Sequence, residues 1–181
     1  AAYFNGTVDF NPTATVENHS SVGLSDFIIQ KLDLDGNLIW NKSVGGTEFD
    51  VPLSMTVDYA GNVLSCGYYG SNVDFDPNAG VVNLPDYGGF IQKLDSNGNL
   101  VWVKGINGAT LGTDPRGIRS DASGNVYVTG EFGGTADFDP GIGVNNQTST
   151  SVTYKDAFVL KLDNSGTFQW VNTYGADFET F

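Results

Sequence analysis

The chain has 181 residues, a net charge of −13, 24 glycines and 16% charged residues, set against 40% apolar and 13% aromatic residues. That profile describes a folded, turn-rich domain with enough chain for a core, and it argues against disorder. It also argues against nucleic acid as a partner, because phosphate binding needs clustered Lys and Arg, and against membrane insertion, because no apolar run reaches the length of a spanning helix.

In chain order the residues read as strands and turns, and no stretch carries a sustained helical period with caps. The chain opens at AAYF and reaches an acidic motif, DFNP, at residues 9–12. A polar loop follows, with the single histidine, His19, read as an exposed loop residue. Strands are predicted over Ile28–Leu32 and Leu38–Asn41, then over Pro52–Val57 and Asn62–Tyr69. The single cysteine, Cys66, falls in the last of these. No internal disulfide can form, and a small buried thiol is expected. DFDP at residues 74–77 precedes strands at Phe90–Leu94 and Leu100–Val103. Strands at Pro115–Ser120 and Asn125–Phe132 come next, then DFDP again at 137–140, and finally strands at Phe158–Leu162 and Phe168–Val171.

The order is a repeat. Trp40, Trp102 and Trp170 end three similar stretches, FIIQKLDLDGNLIW, GFIQKLDSNGNLVW and AFVLKLDNSGTFQW, and Asp9, Asp74 and Asp137 open three acidic motifs. Their spacing gives a unit of about 64 residues. The strands are joined by D-x-x-G at Asp33–Gly36, Asp58–Gly61, Asp95–Gly98, Asp121–Gly124 and Asp163–Gly166. Asp accepts a backbone bond and Gly supplies a left-handed residue, so each joint reads as a hairpin turn with a G1 bulge. The start of a calcium loop is the sharper alternative, but the other ligands of an EF-hand are missing.

Four antiparallel strands at a fixed period describe a β-propeller blade, and the fold class is all-β. Residues 1–47 read as a partial blade, 48–110 and 111–175 as complete blades, and 176–181 as the start of the next. About three blades make an incomplete ring, so the remaining blades of the same protein or other copies are expected to cover the open faces. Apolar residues on both faces of the strands place the three Trp side chains, with Phe75 and Phe138, in the gaps between blades.

The string D-x-x-G-N-V-Y-V-T-G, then G-T-x-D-F-D-P, then D-A-F-V-x-K-L-D-x-x-G-x-x-x-W, resembles the SBBP-type β-propeller repeat of secreted and surface proteins of Bacteroidetes, over nearly the whole chain. The resemblance implies a propeller and an exported protein sent in many cases through the type IX secretion route, and it does not imply an enzyme. The expected role is a noncatalytic scaffold or binding module for a protein or glycan partner, in a secreted or cell-surface setting. The alternatives are a propeller enzyme acting on glycans with its catalytic residues outside this segment, and an exported cargo domain of the type IX route.

Catalytic motifs are missing: no GxSxG elbow, HExxH pair or phosphate loop occurs, and a Cys66–His19 pair is not expected. Two candidate sites stand out. Asp74, Asp76, Asp137 and Asp139 alternate with Phe, so on extended backbone each pair of carboxylates faces one way, which suits Ca²⁺. Asp before Pro equally initiates a turn, with Phe anchoring it. Arg116 and Arg119, the only arginines, lie on the predicted innermost strand of a blade and depart from the repeat, which suits an anionic ligand. Ion pairing with Asp114 or Asp121 is the structural alternative. The loops after each acidic motif differ in length and composition while the strands stay alike, and recognition is usually placed on such loops.

Overall fold

The computed structural model describes residues 1–84 and 87–175. Among them every regular element is a strand. The first blade is a three-stranded antiparallel sheet in the order β1 (Ala2–Phe4), β4 (Asp26–Leu32) and β5 (Leu38–Val44). The second has four strands, β6 (Val51–Val57), β7 (Val63–Tyr69), β8 (Gly88–Leu94) and β9 (Leu100–Ile106). The third has β10 (Thr113–Ser120), β11 (Val126–Phe132), β14 (Asp156–Leu162) and β15 (Phe168–Tyr174). Residues 176–181, expected to open a further blade, lie outside the described residues.

Two small hairpins were not foreseen. β2 (Thr7–Asp9) pairs with β3 (Asn18–Ser20) ahead of β4, and β12 (Thr135–Asp137) pairs with β13 (Asn146–Thr148) ahead of β14. In the second blade the same place holds a single bridge, Asp74 to Asn83. Three-residue strands are too short to show alternation, so sequence periodicity passes over them.

The five D-x-x-G joints take the expected form. In Asp33–Gly36 the Gly36 N–H donates to Asp33 O (3.2 Å), and the Asp33 carboxylate accepts from Asp35 N and Asn37 N. The five closing glycines have φ between 76° and 84°, the left-handed region that the bulged turn requires. The Asn after Gly adds a bond the motif did not advertise: its side-chain amide donates to the second Asp oxygen in four of the turns. These bonds hold the Asp33 and Asp121 carboxyls below their ordinary value, led by the Asn37 and Asn125 amides, and the Asp95 carboxyl likewise, led by the Asn99 backbone N–H.

The core lies between blades. Phe27, Ile29 and Val44 of the first blade pack on Phe75, Phe90 and Leu94 of the second, with Phe27 and Phe90 stacked at 5.1 Å. Leu64, Cys66, Ile91 and Ile106 of the second pack on Val128, Phe138, Phe158 and Leu160 of the third. All seven residues of β8 are buried, because this strand has a blade on each side. Truncating any one of these buried Phe side chains to Ala would cost about 3–5 kcal/mol.

Polar contacts repeat at both joints. Trp40 Nε1 donates to Ser96 O, and Trp102 Nε1 donates to Asn164 O, each at 3.1 Å. Both acceptors are the second residue of the D-x-x-G turn in the following blade. Lys31 Nζ donates to the same Ser96 carbonyl at 2.8 Å, and Lys93 Nζ donates to Asn164 Oδ1. The turn glycine lies under the indole: a Cβ on Gly98 would come within 3.3 Å of Trp40, and one on Gly166 within 3.1 Å of Trp102. Trp170 corrects the expectation that all three indoles fill gaps. No blade covers it among the described residues, and it stays 38% exposed beside Tyr127.

Candidate functional site

The DFDP motifs close loops by way of their carboxylates. Asp74 Oδ1 accepts from Asp76 N (3.0 Å) and from Val82 N (2.9 Å). Asp137 Oδ1 accepts from Asp139 N (3.0 Å) and Asn145 N (2.8 Å), and Asp9 Oδ1 from Asn11 N and Glu17 N. The far donor stands eight residues on in all three copies. Asp76 and Asp139 then cap their own short turns by accepting from Asn78 N and Gly141 N. Asn11 does the same toward Thr13 N in the first copy, so an acceptor oxygen, with or without charge, suffices there. The Glu17 and Asn11 N–H groups hold the Asp9 carboxyl below its ordinary value. Between the acidic residues Phe75 and Phe138 are fully buried, and Gln92 Nε2 donates to Phe75 O at 2.9 Å.

The loop between each carboxylate and its far donor therefore has constant length. The variation in length seen in the sequence falls on the return limb toward the third strand, past the hydrogen-bonded base. Just inside each base stands a valine, Val16, Val81 or Val144, seven residues after Asp9, Asp74 and Asp137, and all three are exposed. Ile142 adds a fully exposed side chain to the third tip. Sequence reasoning missed this row, although its signal was a constant offset from the acidic motif.

Asp137 and Asp139 come together in a cavity of about 220 Å³ lined also by Asn107, Leu84 and Gly141. Asp74 and Asp76 sit in the equivalent loop of the second blade. No group of three or more His, Cys, Asp or Glu side chains is arranged to hold a metal ion among the described residues.

The arginines lie on β10, beside the first strand of the preceding blade. Arg116 Nη2 pairs with Glu131 Oε1 at 2.7 Å and Asp114 Oδ2 at 3.3 Å, and its side chain is largely exposed. Arg119 Nη1 donates to Ile118 O at 2.6 Å. Asp121, the other expected partner, is occupied instead by Ser123 N, Asn125 and the Tyr127 hydroxyl. Both arginines border a cavity of about 380 Å³ with Ser54, Tyr127 and Thr129. Arg116 already spends donors on two carboxylates, as the ion-pairing alternative expected.

His19 is not an exposed loop residue. It sits on β3, half-buried, with Nδ1 at 2.9 Å from Ser43 Oγ and Nε2 at 2.7 Å from Asn41 Oδ1, so both ring nitrogens are engaged by the first blade. Cys66 is fully buried at the second blade interface, and burial pushes its thiol up to about 12. A thiol held protonated there, in a different blade from the histidine, supplies no nucleophile.

Two acidic residues went unnoticed in the sequence. Asp50 accepts from Gly46 N (2.7 Å) and Gly70 N (2.9 Å), tying the crossover between the first two blades to the end of β7. Asp26 accepts from Val22 N. Burial pushes both carboxyls above their ordinary value. Thr113 stands at the position of Asp50 in the third blade, whereas Asp26 recurs as Asp156, which accepts from Thr150 N and is also buried.

No family model matches the chain. It is similar to an uncharacterised WD repeat-containing protein of Acanthamoeba polyphaga mimivirus, 24% identical over 173 residues, and the match covers 88% of this chain and 12% of that protein. Together with the stacked four-stranded sheets, the likeness agrees with a repeat β-propeller architecture and a scaffold of the propeller kind.

Proposed function

We propose that the chain is a noncatalytic β-propeller segment of a secreted or cell-surface protein, and that its three DFNP/DFDP loop tips dock a protein partner. The observation that carries this reading is the row Val16, Val81 and Val144, exposed at one repeated position on the same edge of each blade. Exposed aliphatic side chains at a fixed interval have no role in the blades that present them, and they suit a partner that buries several tips at once. The SBBP-type resemblance, with its link to export and the type IX route in Bacteroidetes, belongs to the same reading. Crosslinking to the extracellular fraction of the source cells tests it, with the wild-type chain beside a Val16→Asp, Val81→Asp, Val144→Asp variant. A partner captured by the wild type and lost by the folded variant supports the reading. Equal capture by both, or a glycan bound equally well by both on an array, overturns it.

Calcium at the DFDP loops is a second reading, favoured by the convergence of Asp137 and Asp139 on one cavity with Asn107. It requires a higher Tm in millimolar Ca²⁺ than in EDTA, and superposable melting curves remove it.

A further inference from the structure

Three aromatic side chains that the repeat does not require meet around one hollow. Phe49, Tyr68 and Tyr87, with Glu48, Gly70 and Ser71, line a cavity of about 350 Å³ at the second blade, which has a blade on each side. Phe49 is 56% exposed and Tyr87 62%. Phe49 stands where the third blade has Gly112, and Tyr87 where the other two have Ser25 and Lys155. Tyr68 is matched by Tyr3 in the first blade and by Glu131 in the third. Glu131 and Lys155 engage Arg116 at 2.7 Å and Asp114 at 2.9 Å, so the third blade spends these positions on ion pairs where the second presents rings.

Backbone contacts hold the hollow in shape. Ser25 N donates to Glu48 O (3.2 Å) and Asp50 N donates to Ser25 O (2.9 Å), which fixes the chain on both sides of Phe49. Tyr68 lies on β7 between Val51 and Gly89 of the neighbouring strands. Glu48 seats its stem against Gly70, where a Cβ would stand 2.2 Å from Glu48 Cβ. Glu48 is exposed, and its carboxylate has no hydrogen bond or ion pair among the described residues. Aromatic faces attract a cation through their quadrupole, and a carboxylate beside them adds a full charge. A primary ammonium is strongly hydrated and carries three donors, more than this lining of rings and glycine can satisfy. A quaternary ammonium has no N–H to satisfy, and its methyl groups pack on the rings. The net charge of −13 draws cations toward the surface.

We propose that this hollow binds a trimethylammonium group, with Phe49, Tyr68 and Tyr87 flanking it and Glu48 balancing its charge. The site uses no residue of the loop tips and does not depend on what they dock.

Titration of the isotope-labelled chain with choline chloride, followed by amide chemical shifts, tests this. Saturable shifts are expected at Glu48, Phe49, Gly70, Ser71 and Tyr87. The uncharged isostere of choline, with a tert-butyl group in place of trimethylammonium, is expected to bind about tenfold more weakly. Phe49→Ala and Tyr87→Ala are each expected to weaken choline about threefold, and Glu48→Gln by a similar factor that fades at high salt. Both rings are exposed, so these variants are expected to keep the far-UV circular dichroism of the parent. Tyr59→Ala, which removes an exposed ring outside the hollow, is expected to leave binding unchanged. The Val16→Asp, Val81→Asp, Val144→Asp variant is expected to bind choline like the parent, so failure of the tip reading and failure of this one are told apart. Choline-competable sedimentation with phosphatidylcholine vesicles places the group on a lipid, and choline binding without it places the group on a free solute; both need the same hollow. Equal binding of choline and its isostere, undiminished binding in a Phe49→Ala, Tyr87→Ala double variant, or no saturable shift at these residues overturns the proposal.

Discussion

Replacing Asp58 by Ala isolates what its buried ion pair with Lys93 contributes. Asp58 Oδ2 stands 2.9 Å from Lys93 Nζ, and the two side chains are 4% and 3% exposed. Burial pushes the Asp58 carboxyl up, but the Asn62 amide and the Lys93 ammonium outweigh it and hold the carboxyl below its ordinary value. Asp121 is the matched control. It closes the corresponding turn of the third blade with the same bonds, to Ser123 N, Asn125 N and Asn125 Nδ2, and accepts one more from the Tyr127 hydroxyl at 3.2 Å. Its neighbour Lys161 sits over the Tyr127 ring, 5.3 Å from the centroid. Both Ala substitutions lose the turn bonds, and only Asp58→Ala strands a buried ammonium. Stranding one typically costs 3–5 kcal/mol, and Lys93 keeps its bond to Asn164 Oδ1, so the excess of Asp58→Ala over Asp121→Ala is about 3 kcal/mol. For a chain of this size that is a Tm difference of about 10 °C. Adding Lys93→Met to Asp58→Ala is expected to restore most of the loss, because no charge is then left in the interface. Urea unfolding of the four proteins, with slopes compared, measures each term. Equal losses for Asp58→Ala and Asp121→Ala, within about 0.5 kcal/mol, or no recovery in the double variant, would refute the reasoning.

Three further outcomes follow from the geometry. The lowered carboxyls of Asp33, Asp58, Asp95 and Asp121 contribute stability that is present above the unfolded value of 3.8 and lost as pH falls through their folded values. The raised carboxyls of Asp26 and Asp50 act in the opposite sense, fully below 3.8 and fading as pH rises through their folded values. Calorimetry against pH should therefore find the highest Tm on the acid side of neutrality and a steep fall below 3.8, and a Tm that stays flat into strong acid contradicts this. Cys66 should resist a thiol reagent at mildly alkaline pH in the native chain and react fully in denaturant, since burial keeps it protonated; rapid native labelling contradicts its placement. Gly67→Ala should cost more than about 4 kcal/mol, because the new Cβ would stand 2.0 Å from Val51 O at a bulge where backbone cannot yield. An expression level and Tm like those of the parent would contradict that close approach.

Much of the fold was legible because one unit is written nearly three times. The positions of β6 to β11 could be read within a few residues from apolar runs bounded by D-x-x-G, and the turns formed as the chemistry of Asp and Gly dictates. β5, β9 and β15 run on to Val44, Ile106 and Tyr174, beyond their expected ends, because pairing with the preceding strand carries the polar residues after Trp along. The site was harder to read. Alternation set the DFDP carboxylates apart from Phe75 and Phe138 correctly, but sequence does not say which backbone N–H a carboxylate will meet eight residues away. His19 was misplaced for a similar reason: its partners Asn41 and Ser43 lie on another strand, brought near only by the short β2–β3 hairpin. Trp170 looked identical to its two counterparts in the sequence, and only the stacking order sets it apart.

The constant eight-residue reach of the Asp9, Asp74 and Asp137 carboxylates has a consequence for change over time. Each carboxylate fixes both ends of a segment by bonding backbone N–H groups, which nearly every residue type possesses. The segment works as a cassette: apart from the Phe that follows the carboxylate, buried as Phe75 and Phe138 in the second and third copies, its side chains can be rewritten without altering the frame that holds them. Three such cassettes on one edge can diverge at their exposed positions, such as Val16, Val81 and Val144, while the blades beneath stay alike. For the same reason they are the places to graft foreign peptides of matching length.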